Sequence, residues 1–221
     1  MAESWATLTS YRLHDLLMFS ADVYFRMFKT INRQWWPAPL VGAGLACVVW
    51  VATWLRRAVL VTPVLLAGAW AAVALLYFRD GFAEIHWLGP WWMGAFLLQS
   101  LLWLVWVATA RPVLVEDGPI RTAGVLLLAA AAGWPVLTVA WQRSIWQAQV
   151  AGLAPDATLL MSLGLLLALK PTRPWAAALL VLPLSWCVFS GATSWAMVQP
   201  LALALPLAGF AAALVLLIRR R

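Results

Sequence analysis

Charge is scarce in this chain, and the scarcity excludes whole classes of protein. Only 10% of the 221 residues are Asp, Glu, Lys or Arg, against 65% hydrophobic. A soluble globule of this size has more polar surface than that to coat it. Lysine occurs only as Lys29 and Lys170, neither inside an apolar run, which excludes a retinal Schiff base. Cys47 and Cys187 both fall within apolar runs. There they read as small buried hydrophobes rather than disulfide partners or metal ligands, and they say little about redox compartment. No H-E-x-x-H, G-x-S-x-G or phosphate-binding glycine loop is present, so there is no enzyme signature. No ionisable residue falls in the centre of an apolar segment, which disfavours a charge-coupled pump. A secretory signal peptide is also missing: the first 34 residues carry seven charges and no apolar core. The N-terminus is therefore expected to be retained, with the first apolar segment acting as anchor.

What is abundant is apolar sequence, 17 tryptophans included. Seven apolar segments can be marked, at 38–55, 61–78, 88–110, 122–141, 157–169, 175–195 and 199–218, with the charges gathered between them. Crossing the hydrocarbon takes about 20 helical residues. The expected fold is all-α, a polytopic transmembrane helix bundle of about seven spans, preceded by an amphipathic interfacial helix. The count is six if the short segment 157–169, which follows a candidate N-cap at Asp156, does not cross. The domains are then an N-terminal segment, 1–36, and a transmembrane domain, 37–221. Thr62-Pro63 reads as an N-cap followed by proline at the first helical position, and Pro135, Pro183 and Pro206 fall inside later spans, where they kink helices.

Lys and Arg mark the orientation. Odd-numbered connections and the C-terminus carry nine, the even ones with the N-terminal region six. The positive-inside rule places the C-terminus in the cytoplasm and the N-terminus outside a bacterial inner membrane. The net charge of +7 fits anchoring to anionic lipid, because its residues are spread over loops and form no nucleic-acid face.

From about Tyr11 to Arg33, Asp15, Asp22, Arg26, Lys29 and Arg33 recur at helical spacing on one face. Leu16, Phe19, Val23, Met27, Phe28, Ile31 and Trp35 form the other. Asp22 and Arg26 are an i,i+4 pair of the favourable order. Trp35 and Trp36, with Trp87, Trp91 and Trp92, are candidate interfacial anchors, and Pro37 forces a bend into the first span. Trp103, Trp106 and Trp186 lie deeper.

Polar residues within the spans are few. Ser185, Ser190, Thr193 and Ser194 punctuate the sixth, and Gln99 with Ser100 in the third are their expected partners. They suit helix packing or the lining of a cavity. His14 and His86, with Asp80 and Glu84, are weak candidates for a metal or haem site on the outer side.

Three stretches carry a family likeness: "YRLHDLLMFSADVYFRMFKTINRQWWPAP", "GLAPDATLLMSLGLLLAL" and "LPLSWCVFSGATSWAM". With Asn32, Trp36 and Pro37, then Pro155 and Thr158, then Pro183, Trp186 and Gly191, the chain resembles a family of bacterial multi-pass inner-membrane proteins known only as a domain of unknown function. Residues 80–125 match it loosely. The resemblance implies a membrane fold and carries over no activity.

The expectation is thus a non-enzymatic protein, either a small permease or an accessory subunit of a membrane complex. No cofactor is predicted. The expected partners are the lipid bilayer and either a membrane protein or further copies of the chain, with no nucleic acid. The alternative is a membrane enzyme or redox subunit with a metal or haem near His14 and His86.

Overall fold

The computed structural model describes residues 18–57, 59–142, 144–199 and 202–218. Among them are eight helices and no strand. Helix α1 (Ala21–Gln34) is followed by α2 (Ala38–Trp54), α3 (Val61–Ile85), α4 (Gly89–Ala110), α5 (Pro119–Gln142), α6 (Pro155–Ala168), α7 (Arg173–Ala196) and α8 (Ala204–Ile218). The seven apolar segments correspond to α2 to α8.

Their lengths correct the expected span count. Only α3, α4, α5 and α7 are long and apolar enough to cross a membrane, or five spans if the α1–α2 pair, bent by 95°, counts as one. Helices α6 and α8 have 14 and 15 residues, short of the roughly 20 that a full crossing takes.

α1 forms because its apolar and polar residues separate at helical spacing, with Ser20 capping the backbone N–H of Val23. Tyr24, Phe25, Met27, Phe28, Ile31 and Asn32 face the bundle, while Asp22, Arg26 and Arg33 face outward. Val23, expected on the apolar face, is exposed, and the Asp22–Arg26 ion pair does not form. The chain then turns through Trp36 and Pro37 into α2.

α3 changes its winding midway. Residues Val73–Phe82 are π-helical, and the wider turns pack Tyr77, Phe78 and Phe82, all fully buried, into the centre of the bundle. Thr62 does not cap this helix, which begins one residue earlier at Val61 after Leu60. Pro135 and Pro183 lie inside helices as expected, whereas Pro206 lies in the first turn of α8.

α6 is the axis of the fold. Every residue from Pro155 to Ala168 is buried except Asp156. The segment before it, Val150 to Ala154, is buried as well. That segment wedges between α2 and α3: a Cβ on Gly42 would collide with the Ala151 carbonyl, and Gly152, at φ +82°, turns the chain beside Ala69. Trp70 Nε1 donates to Ser162 Oγ at 2.8 Å, and Ser162 Oγ donates on to the Thr158 carbonyl at 2.9 Å. Buried polar groups are thereby paired within the helix contacts.

The connections fall at two ends. At one, Asp117 accepts from Arg56 and Arg121, Arg121 also reaches the Thr53 and Trp54 carbonyls ending α2, and Leu114 bridges Leu169. At the other, Asn32 Nδ2 donates to the Trp146 and Ala148 carbonyls at 3.0 and 2.8 Å. These bonds tie α1 to the entry of α6. Asn32→Leu should destabilise the fold by about 1–3 kcal/mol, since two part-buried carbonyls lose their donor, and should speed proteolysis within residues 18–36. Unchanged thermal unfolding and cleavage would show that the tether carries no stability.

Candidate functional site

Asp156 is the one charged residue of α6 and the one not buried there, and its chemistry defines the site. The residue does not cap its helix: Ala154 is the N-cap, and Asp156 sits in the first turn. There the positive end of the helix dipole favours its carboxylate. No side chain caps this helix; the Thr158 hydroxyl, one turn in, donates to the Ala154 carbonyl and accepts the Gly152 N–H, both at 2.9 Å. The Asp156 carboxylate, not engaged at the helix end, points across the bundle. Trp186 Nε1 and Ser190 Oγ, both on α7, donate to its Oδ1 at 2.8 and 2.9 Å. Oδ2 accepts no hydrogen bond from the described residues.

Asp156 lies at the edge of a half-open cavity of about 380 Å³ lined by α1, α5, α7, α8 and the segment before α6. This is the size of a small-molecule site. Trp134 and Trp141 of α5 and Tyr24 and Phe25 of α1 supply aromatic walls; Gln149 and Ser194 add polar points. Trp134 Nε1 donates to Gln149 Oε1 at 3.3 Å, and Thr138 Oγ1 accepts the Gln149 N–H at 3.1 Å, so the amide is held in place. Asp156 is half-buried, with its side chain turned toward α7.

The expected polar cluster divides. Ser190 and Ser194 face the cavity. Ser185 is exposed and bonds the Val181 carbonyl, and Thr193 bonds the Phe189 carbonyl. Gln99 and Ser100 do not meet this cluster: Gln99 Nε2 donates to the Leu179 carbonyl at 3.0 Å and Ser100 Oγ to the Ala67 carbonyl at 2.8 Å. Both are buried and hold α4 against its neighbours. Asp156 itself was legible only as a capping residue. The signal that it is more was the lone acid between Pro155 and the Leu-rich run, with no Lys or Arg within reach along α6.

Trp36, Trp87 and Trp91 are exposed, as suits anchors, and Trp35 is half-buried. Trp92 instead packs against Trp186 at 4.9 Å between centroids. Trp103, Trp106 and Trp186 are fully buried.

His86 accepts the Leu88 N–H at Nδ1, 3.1 Å away, and stacks on Phe82 at 5.2 Å. Asp80 is paired with Arg79. His14 lies outside the described residues. Among the described residues no three His, Cys, Asp or Glu side chains gather as a metal site. Burial holds the His86 imidazole below its ordinary value. The unfolded chain therefore takes this proton first as the pH falls through about 6.5, and stability drops on acidification. Replacing His86 by Phe should keep the stacking and flatten that part of the melting temperature against pH. An unchanged slope would assign the effect elsewhere.

The fold and cavity define an all-helical protein with four, or up to five, helices long and apolar enough to cross a membrane. The chain belongs to a family of unknown function, DUF6064, whose model matches residues 21–221. No curated protein and no solved structure matches it.

Proposed function

We propose that the protein is a small non-enzymatic permease of the bacterial inner membrane, with the cavity beside Asp156 as its solute site. The observation that carries this reading is a half-buried carboxylate on the wall of a cavity in an apolar helix bundle, at the start of a helix shorter than a span, with one oxygen unbonded. Ionisable groups in such surroundings are costly and mark solute or ion paths. Interrupted helices whose ends meet at a central site recur in carriers. The connections bearing Arg56, Arg57, Arg111, Arg121, Lys170 and Arg173 face the cytoplasm in this proposal, by the positive-inside rule.

The test is uptake by proteoliposomes challenged with small amines, amino alcohols, polyols and carboxylates. At least one class should enter faster than into empty liposomes. Ser194→Trp, which fills the cavity, should abolish that uptake while the protein stays monodisperse. Failure of every class, or uptake indifferent to Ser194→Trp, would overturn the reading.

A further inference from the structure

We infer that the solute is an organic ammonium: a protonated amine carrying an aromatic or alkyl body. The inference rests on the reading of the cavity as the permease's solute site and names its chemical class.

Three observations converge. First, Asp156 has no cationic partner among the described residues, whose ion pairs are Arg56–Asp117, Arg79–Asp80 and Arg121–Asp117. A carboxylate in a low-dielectric interior is strongly unfavourable without a neutralising partner, and an incoming cation supplies one. Second, the two donors that the protein offers, the Trp186 indole and the Ser190 hydroxyl, both go to Oδ1. Oδ2 keeps its lone pairs for a donor from the cavity. An ammonium N–H makes a charge-assisted bond there, whereas a carboxylate or phosphate would meet repulsion.

Third, the rest of the lining suits the body of such a molecule. Tyr24, Phe25, Trp134 and Trp141 present aromatic surface, and the faces of such rings attract a cation as well as apolar groups. Among the described lining residues none is Lys, Arg or His. The site therefore combines one acceptor charge with walls that are mostly apolar and carry the neutral polar groups of Thr138, Gln142, Gln149, Ser190, Ser194 and Gln199. A hydrated metal ion would find one carboxylate where hard cations take six or more oxygens.

The probe is phenethylammonium, compared with 2-phenylethanol, its neutral counterpart of nearly the same shape. Binding is measured by equilibrium dialysis against the full chain in lipid nanodiscs. The ammonium should bind about 10- to 100-fold more tightly than the alcohol, the range expected of one hydrogen bond to a charged group. In Asp156→Asn that preference should collapse towards unity, with weak binding of both compounds kept by the aromatic walls. Equal affinities in the wild-type protein, no binding of the ammonium, or an undiminished preference in Asp156→Asn would each overturn the inference. Should Asp156→Asn fail to fold, the wild-type comparison decides alone, with Ser194→Trp as the variant that must lose both compounds. Selective binding without uptake by proteoliposomes would keep the ligand class and remove the permease. Uptake of neutral solutes without ammonium selectivity would do the reverse.

Discussion

Gly164→Ala loses about 3 kcal/mol or more of stability, among the largest effects that one added methyl produces in this molecule, because overpacking against backbone costs about 1–3 kcal/mol and sometimes more. Helices α5 and α6 cross where Gly124 and Gly164 face each other. A Cβ on Gly164 would stand 2.8 Å from the Gly124 carbonyl oxygen and 2.9 Å from the Leu128 nitrogen; one on Gly124 would stand 2.7 Å from the Gly164 carbonyl oxygen. Apart from Leu128 Cγ, 2.9 Å from the added Cβ on Gly164, the obstructing atoms are backbone, so relief requires one helix to move. Moving α6 also disturbs every neighbour of a helix whose residues, Asp156 apart, are all buried. The control is the same mutation where space is open. Gly94 on α4 and Gly133 on α5 have nothing within 4 Å of an added methyl, and alanine there should gain about 0.5–1 kcal/mol from helix propensity alone. Thermal unfolding in detergent, followed by circular dichroism, reads all three variants. Equal shifts would mean that propensity governs and that the crossing tolerates separation.

That crossing shows where sequence reading succeeds and where it stops. The seven apolar segments lie on α2 to α8 because hydropathy reports where a helix must avoid water, and the break at Trp36-Pro37 reports a backbone restriction. Each is a property of a few consecutive residues. The span count failed because hydropathy measures apolarity, not length of helix. The shortness of segment 157–169 was legible, but not that the last apolar segment forms only the 15 helical residues from Ala204 or that α2 has 17 and meets α1 at 95°. The partners of Gln99 and the placement of Asp156 depend on helices distant in sequence. Asp156 and Ser190 are 34 residues apart, and no local pattern states that they meet. Asn32 is intermediate: its place in the family motif could be read, while its bonds to the Trp146 and Ala148 carbonyls could not. The serines of α7 were legible as polar punctuation, but which of them face a cavity follows from the rotation of the helix against α6.

Trp186→Ala should lower stability by about 3–5 kcal/mol, the range for removing a fully buried large aromatic ring. Its ring lies 5.3 Å from that of Phe78, 4.9 Å from Trp92, 5.6 Å from Phe96 and 5.2 Å from Phe189, centroid to centroid. The same side chain is one of two protein donors to Asp156 Oδ1. Packing and hydrogen bonding are separated by Trp186→Phe, which keeps much of the aromatic contact and removes the N–H. That variant should lose about 1–3 kcal/mol, less than alanine, because the carboxylate oxygen retains only Ser190. Unfolding in detergent measures the two losses, and equal values would assign the whole effect to packing. Ligand binding gives an independent reading of the same pair. If Trp186 fixes the carboxylate so that Oδ2 faces the cavity, Trp186→Phe should weaken phenethylammonium more than 2-phenylethanol, even in protein that melts well above the assay temperature. If the indole only fills space, both compounds should change together. The contrast distinguishes a residue that aims the charge from one that merely surrounds it.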